Sequence, residues 1–432
     1  MALSALGSAR RLPFPTLLVG ILGAIVLSSS VTLDLLLLPH DGSLAHDFSA
    51  FYAAGLVVRA GGNPYDAGQL AAVEAHLPAV GDPAQVVGFN SYANPPLFAW
   101  FMSAMTRLPQ APAYLIWTVV MLAALIAAIV LLGDRRRSAL WWLVLVLSPA
   151  SVICLFLGQQ TPLLLLALVG ALRAVRRQAP LLAGALLSMA WIKPHLLLPV
   201  IVLMVALLAA GDRRRLLAGL GGASLLFAAV SLLLTGPGLT GAWLQTLVAY
   251  GRSLDQNQPD LSSLAGLYLS IVGRPWSLLL EGASILVWLS WMVWLVRQAP
   301  RSGLGGHDGR LSRAIAVGLA GWLLLLPYVH PHDLVLLAIT LPVLLEPGAP
   351  GLADATTRVA ACMSLIAPEA DLLGFRPNFV LSYSVLVPLS LLVALRPWRL
   401  DTSGGNLSSQ QSWAGQGLTA APPSAAPSSD AA

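Results

Sequence analysis

The stretch PAYLIWTVVMLAALIAAIVLLGDRRR, residues 112–137, contains an uncharged apolar run that ends just before three consecutive arginines. A helix of about 20 predominantly apolar residues crosses the hydrocarbon core of a bilayer. Arginines directly after a span are typical of the cytoplasmic side. The stretch therefore predicts one membrane-spanning helix and also the orientation of the chain around it.

Similar apolar runs recur along nearly the whole chain. Of its 432 residues, 57% are hydrophobic and 10% are charged, with a mean hydropathy of +0.78, whereas soluble proteins carry about 25% charged residues. This composition predicts an all-α fold, that of a polytopic helical membrane protein. The two cysteines lie inside apolar runs and imply no disulfide framework. The net charge of +5 lies in short loops, so it indicates membrane orientation and no nucleic-acid partner.

The number of spans is predicted to be 10 to 12. The candidate segments are residues 14–38, 112–132, 139–157, 162–175, 181–192, 196–210, 216–234, 277–296, 314–329, 334–345, 359–373 and 379–395. The shortest would cover about 18 to 22 Å of a hydrocarbon core that is about 30 Å thick. We therefore expect the neighbouring short segments 181–192 and 196–210 to be broken or re-entrant helices.

The basic residues predict that both termini are cytoplasmic. With the amino end inside, 18 of the 24 Lys and Arg residues lie on the inner side, in agreement with the preference for basic cytoplasmic loops. Residues 14–38 are interpreted as an uncleaved first span, because a signal peptide has a shorter apolar region. Residues 1–400 are predicted to form one transmembrane domain. Residues 401–432 are predicted to form a disordered cytoplasmic tail.

The outer face is predicted to be the working face. Six of the seven histidines fall there, together with most of the carboxylates, whereas the inner loops are short and almost purely basic. The first outer loop, residues 39–111, is long and polar, and its patterning indicates juxtamembrane helices. The outer histidines are His40, His46, His76, His195, His330 and His332.

Asp47 begins a helical pattern in this first loop. Apolar and aromatic residues follow at helical spacing and predict a helix lying on the outer membrane surface. Asp47 could serve as the N-cap of that helix, as a carboxylate positioned for chemistry, or as both. A turn at residues 61–65, which contains two glycines and a proline, ends the pattern. The stripe consists of Phe48, Phe51, Tyr52, Gly55, Leu56 and Arg59.

Lys193 is the single lysine beside 23 arginines, and it lies between two short apolar segments. Its ammonium could reach the membrane interface, or it could bind an anionic group such as a phosphate at the ends of broken helices. His330 and His332 precede Asp333 at the end of another segment. They could bind phosphate or hydroxyl groups, ligate a metal together with His46 or Asp47, or have an interfacial structural role.

Three further polar motifs lie on the outer side. Gln159 and its neighbour Gln160 could bind a sugar through hydrogen bonds or could satisfy the loop backbone. The pair Pro95-Pro96 favours the start of a helix over a substrate contact. Asn257 and Gln258 lie in the loop after the seventh segment, close to Arg252.

These motifs together resemble the GT-C glycosyltransferases of family 87 (GT87), whose members include enzymes that use polyprenyl-phosphate mannose or arabinose. The resemblance spans residues 14–395. The matching elements occur in the order Asp47-Phe48, Tyr52-Ala53-Ala54, Gly62-Asn63-Pro64-Tyr65, Pro95-Pro96, Gly158-Gln159, Lys193-Pro194, Asn257-Gln258 and His332-Asp333.

The resemblance implies an inverting, metal-independent transfer without a cofactor on the extracytoplasmic face of a bacterial plasma membrane. A polyprenyl-phosphate sugar, with mannose first, would be the donor, and a lipid or glycan the acceptor. Asp47 would be the general base, and Lys193, His330, His332 and Arg252 would bind the donor phosphate. The expected substrate contacts are His46, Tyr52, Gln159, His195, Asn257, Gln258 and Asp333.

Two other classes of protein remain open from the sequence. A transporter or lipid flippase also has broken helices, although it usually carries its ionisable groups within the spans. A non-catalytic subunit for the assembly of an envelope polysaccharide is the other alternative.

Overall fold

The computed structural model of the chain describes residues 44–79, 82–86, 90–133, 146, 148–250, 263–273, 276–298, 308–326 and 328–344. Within these residues the regular structure is helical except for one short ribbon of two antiparallel strands in the first loop. The first half contains α1 (His46–Arg59), α2 (Ala67–Glu74), β1 (Pro78–Ala79), β2 (Asp82–Val86), α3 (Pro96–Met105), α4 (Gln110–Leu132), α5 (Pro149–Leu157), α6 (Thr161–Arg176) and α7 (Pro180–Leu187).

The second half continues the helical architecture, with two segments of 3-10 helix at Ser188–Trp191 and Pro331–Thr340. Its α-helices are α8 (Pro194–Leu207), α9 (Ala210–Tyr250), α10 (Leu264–Val272), α11 (Trp276–Gln298), α12 (Asp308–Leu325) and α13 (Leu341–Leu344). Gly236 interrupts α9, at φ 76° and ψ 166°, just before Pro237. The prediction of an all-α fold is confirmed.

Three of the described helices are long and apolar enough to cross a membrane, at Gln110–Leu132, Ala210–Ala249 and Trp276–Trp294. Most of their side chains lie outside the protein core, and many exposed ones are Leu, Val and Ile. Such surfaces are compatible with lipid and not with water. The chain is therefore an integral membrane protein. The total of 10 to 12 spans stays a prediction, because the segments 14–38, 359–373 and 379–395 lie outside the described residues.

The expected broken helices are present around Lys193. α7 ends at Leu187, one 3-10 turn follows, and α8 begins directly after Lys193. The 3-10 segment Pro331–Thr340 is ten residues long, although such runs rarely exceed about four residues. It packs with α5, α6 and α12 in the larger of two hydrophobic cores.

The predicted helix after Asp47 is confirmed as α1, but its position differs from the one expected. The aromatic stripe is buried, and so are Ser49, Ala50, Ala53 and Val57 on its other sides. α1 is therefore enclosed between α2, α3 and α4 instead of lying on the membrane with one polar face. Its buried side chains form the second hydrophobic core together with residues of α2, α3 and α4.

α7 and α9 cross at two glycines. A Cβ built on Gly184 would lie 1.9 Å from the carbonyl oxygen of Leu216, and one on Gly219 would lie 2.0 Å from the carbonyl oxygen of Leu181. Neither contact leaves space for a methyl group. Small residues at such positions let helix backbones approach in a membrane, where the gain from apolar burial is small.

We expect Gly219→Ala to lower the thermal unfolding midpoint of the protein in detergent. The added methyl group must push α9 away from α7, at a cost of about 1–3 kcal/mol for overpacking. Gly222→Ala, three residues further along α9 and in open space, is the matched control. It should leave the midpoint unchanged or raise it slightly, because Ala favours a helix by about 1 kcal/mol over Gly. Equal midpoints for both variants would contradict the close crossing.

Candidate active site

The turn at residues 158–161, which leads from α5 into the first residue of α6, is the structural centre of the site. Gly158 ends α5 at φ 76°, and a Cβ there would lie 2.6 Å from the Cβ of Phe48. The last carbonyl groups of α5 are bound from α4, by the Tyr114 hydroxyl on Phe156 O at 2.8 Å and by the Trp117 indole on Gly158 O at 2.7 Å. Since the end of a helix leaves such carbonyls without partners, these two bonds fix the turn.

Asp47 lies in the first turn of α1, and its carboxylate is held by two neutral amides. Asn90 Nδ2 donates to Oδ1 at 2.9 Å, and Gln159 Nε2 donates to Oδ2 at 2.7 Å. The alternative that Asp47 caps the helix is wrong. The N-cap is Ala45, which the chain passes at φ 61°, and it makes no side-chain cap bond. The Asp47 side chain is therefore available for contacts away from its own helix.

The next residue of the turn binds the segment before α3. Gln160 is fully buried and donates its amide to Asn94 Oδ1. The Tyr65 hydroxyl donates to Asn94 O at 2.7 Å, and the Trp243 indole donates to Ala93 O at 3.0 Å. This segment ends at Pro96, where α3 begins. The interpretation of Pro95-Pro96 as the start of a helix is confirmed.

Thr161, the last residue of the turn, contacts a buried ion pair. Lys193 Nζ lies 2.8 Å from Asp333 Oδ1, with side-chain exposures of 13% and 1%. The ammonium also lies 3.2 Å from His332 Nε2 and 3.5 Å from Thr161 Oγ1. Because an ammonium can only donate hydrogen bonds, this contact makes Nε2 of His332 the acceptor and leaves the proton on Nδ1.

Asp333 is fully buried and uses both carboxylate oxygens inside the protein. Oδ1 accepts from Lys193 and from Thr161 Oγ1 at 3.2 Å, and Oδ2 accepts from the His330 backbone N–H at 3.2 Å. His330 is half-buried, and its ring stacks on that of His332 with centroids 5.3 Å apart. Within this group, His330 is thus more exposed than Asp333 or His332.

The remaining expected substrate contacts occupy different positions. His46 is half-buried at the first position of α1, beside Asp47. Tyr52 is buried, and its hydroxyl donates to Leu108 O at 2.7 Å. The His195 ring packs edge-on against Tyr328, and its Nε2 has no partner among the described residues. Arg252, Asn257 and Gln258 lie outside the described residues.

Sequence reasoning did not identify Asn90 or Glu74 as part of this site. Glu74 ends α2 and is 1% exposed. Its Oε2 accepts from the Asn90 backbone N–H at 3.2 Å, while its Oε1 has no partner in the part of the chain that is described. Burial raises the pKa of Glu74 to about 7, although the Asn90 N–H lowers it in part. An acidic residue that ends an otherwise apolar helix was the one available signal.

The arrangement places two kinds of chemistry on one turn. The Asp47 carboxylate, which can accept a proton, is bound by Gln159, and the ammonium and imidazole groups, which suit an anion, adjoin Thr161. Gln159 and Thr161 are two residues apart in the chain, so their Cα atoms are separated by at most about 7 Å. No group of three or more His, Cys, Asp and Glu side chains among the described residues is placed to hold a metal ion.

The sequence of the chain matches a known protein family. The sequence profile of Glycosyltransferase family 87 matches residues 92–368, which is more than half of the chain. The matched region includes the turn, Lys193 and the His330–Asp333 segment, while Asp47 precedes it. Comparison with curated proteins and with solved structures gave no significant match.

We expect Asp333→Asn to destabilise the protein strongly, because it leaves the Lys193 ammonium without a counter-charge. Removal of one partner from a buried pair costs about 3–5 kcal/mol. The double variant Lys193→Met, Asp333→Asn removes both charges and should recover much of this loss. Thermal unfolding in detergent measures both effects. A double variant that is no more stable than Asp333→Asn would argue against the pair as the cause.

The ionisation of Glu74 should also change stability with pH. Its pKa rises from 4.5 to about 7 on folding, so between these values the native state holds a proton that the unfolded state has released. Stability should therefore fall as pH increases through this window and then level off. Glu74→Gln cannot ionise, so its unfolding midpoint relative to the wild type should rise from pH 5 to pH 8. A constant difference would contradict the raised pKa.

Proposed function

Because this chain belongs to Glycosyltransferase family 87, we propose that it transfers a sugar from a polyprenyl-phosphate donor to a lipid or glycan acceptor. The family and the apolar helices make it a membrane glycosyltransferase. The further points are proposals, namely mannose as the sugar, the extracytoplasmic face of a bacterial membrane as the location, and inversion at the anomeric carbon.

The observation that carries the proposal is the setting of Asp47. Its carboxylate is half-buried and held from two sides by Asn90 and Gln159, both neutral. An ionised carboxylate has about four acceptor positions, so two remain for a substrate hydroxyl. A general base must lie within hydrogen-bond distance of the proton that it takes. A carboxylate that is fixed by two amides, with no cation bound to it among the described residues, can accept such a proton.

The opposite side of the reaction needs groups that stabilise a departing phosphate. Lys193 precedes α8, where the helix N-terminus also favours an anion. Asp333 and His332 already bind the Lys193 ammonium, so we propose that they orient it. The ammonium in turn selects the tautomer of His332. His330, half-buried beside them, and Lys193 are the proposed phosphate contacts. Arg252, in the outer loop after the seventh segment, is a further candidate.

The proposed step is a single displacement. The acceptor hydroxyl oxygen attacks the anomeric carbon while the bond from this carbon to the phosphate oxygen breaks. The hydroxyl proton passes to Asp47, and the polyprenyl phosphate leaves with the bonding electrons. Because attack and departure occur on opposite faces, the anomeric configuration inverts. The groups that act in this step are side chains. The base and the groups that bind the phosphate would lie on separate sides of the site.

The sugar and the acceptor would then lie near the turn. Gln159 carries a buried carbonyl oxygen that has no partner among the described residues, and a sugar hydroxyl can donate to it. His46 and His195 are further candidates for polar substrate contacts. Tyr52, whose hydroxyl binds Leu108 O, would act by supporting α1. Asn257 and Gln258 remain candidates from their place in the sequence.

Asp47→Asn should abolish sugar transfer while the protein stays folded. An amide has the same shape, and rotation of the Asn90 or Gln159 amide can satisfy its hydrogen bonds, but it cannot take the proton. Purified protein is incubated with labelled polyprenyl-phosphate mannose, and in parallel with the arabinose donor, in the presence of membrane lipids. We expect a fall in kcat of at least about 100-fold, since general bases contribute about 10²–10⁴-fold.

Asp66→Asn is the matched control for this experiment. Asp66 lies in the same loop and caps α2 through a bond from the Gln69 backbone N–H, a bond that Asn also accepts. This variant should keep full activity. Near-normal transfer by Asp47→Asn would remove Asp47 as the base. Failure of the wild type to transfer any lipid-linked sugar would favour the transporter alternative.

A further inference from the structure

We propose that Glu74 is a positioning residue for Asp47, acts on it through Asn90, and makes the rate of transfer depend on the pH at the outer face. The inference rests on the proposed function, because it assigns a role towards the proposed base. It concerns a buried carboxylate that the displacement itself does not use.

The geometry forms a short chain of two hydrogen bonds between two carboxylates. The Asn90 backbone N–H donates to Glu74 Oε2 at 3.2 Å, and the Asn90 side-chain amide donates to Asp47 Oδ1 at 2.9 Å. One residue therefore carries both contacts. A shift of the Asn90 backbone towards or away from Glu74 must also move the amide that holds Asp47.

Glu74 is an unusual residue to find in this position. Buried carboxylates are normally paired with a cation or fully hydrogen-bonded. Glu74 is 1% exposed, and its Oε1 has no partner within the described residues. The folded protein is less stable once Glu74 ionises, as the pKa of about 7 for Glu74 indicates. A residue that costs stability and also contacts the proposed base calls for a functional explanation.

Among the described residues, no charged or titratable side chain on the packed elements bonds to the Glu74 carboxylate. On α1, Asp47 is bound by its two amides, and Arg59 donates to Thr106 O at 2.7 Å. On α2, Asp66 caps the helix. His76, just after it, is exposed, with Nδ1 2.8 Å from Ala72 O. His46, at the start of α1, is half-buried. Burial and the Asn90 N–H therefore dominate the titration of Glu74.

Ionisation of Glu74 should promote transfer through the position of Asp47. A charged acceptor strengthens the bond from the Asn90 N–H, which holds the side-chain amide of Asn90 more firmly on Asp47. A base that is held in a defined position lies more often within hydrogen-bond distance of the acceptor hydroxyl. The rate of transfer should therefore rise as pH increases through about 7, the pKa of Glu74.

The test compares pH profiles of kcat/KM for the wild type, Glu74→Gln, Asn90→Ala and the double variant, from pH 5.5 to 8.5. The wild type should gain roughly fivefold across this range, the advantage of a charge-assisted hydrogen bond over a neutral one. Glu74→Gln keeps an acceptor for the Asn90 N–H but cannot ionise, so it should lose this gain. Titration of other groups, including His330, is common to both proteins and cancels in their ratio.

Asn90→Ala provides a second and independent route to the result. It keeps the backbone N–H that binds Glu74 but removes the amide that reaches Asp47. The pH-dependent gain should shrink in this variant, and the addition of Glu74→Gln should change little more, as expected when both residues act along one path. A purely structural role of Glu74 would lower activity equally at every pH.

The outcomes separate this inference from the proposed function. If the wild type transfers sugar and Glu74→Gln has the same pH profile, the positioning role is overturned while the proposed function stands. Loss of the gain in Glu74→Gln but not in Asn90→Ala would overturn the path through Asn90. If the wild type transfers no lipid-linked sugar at any pH, the proposed function and this inference both fail.

Discussion

The ion pair between Lys193 and Asp333 is the interaction on which the arrangement of the site depends. Both charges are almost completely removed from solvent, and such a pair is tolerated only where further hydrogen bonds satisfy it. Asp333 meets this condition through Thr161 and the His330 N–H. Three distant segments must therefore meet at one carboxylate. The breaks before α8 and before Pro331 place helix termini at this point, and the His330 backbone N–H at one of these termini is a donor to Asp333.

The turn at residues 158–161 extends this constraint to the start of α1, which carries Asp47. Thr161 is held by the ion pair, while two residues earlier Gln159 is bonded to Asp47. Trp117 fixes the turn from α4, and Gly158 permits the close approach of Phe48. The position of Asp47 relative to Lys193 is thus set by buried hydrogen bonds and packing. A single displacement requires such a fixed separation between the base and the departing group.

Local features of this site could be predicted from the sequence, and contacts between distant segments could not. The apolar run that became α4, the helix start at Pro96 and the break at Lys193 follow from composition, proline geometry and segment length. The role of Asp47 as a helix cap was wrong, because the chain enters α1 through Ala45 at positive φ, which no residue type indicated. Asn90 lies 43 residues from Asp47, and periodicity carries no information about contacts at such distances.

The three carboxylates near the turn differ in environment, and the difference supports one assignment of roles. Asp333 is buried, and its oxygens are occupied by Lys193, Thr161 and the His330 N–H, so an acceptor hydroxyl cannot reach it. Glu74 is equally buried but has no cation beside it among the described residues, which is the setting in which a carboxyl group takes up a proton near neutral pH. Asp47 alone of the three is half-exposed, and the described residues that bind its carboxylate are two neutral amides. Enzymes separate the functions of neighbouring acids by such differences in surroundings. By the same reasoning, we propose that Asp47 accepts the proton, that Asp333 orients the Lys193 ammonium, and that Glu74 positions the Asn90 amide that binds Asp47.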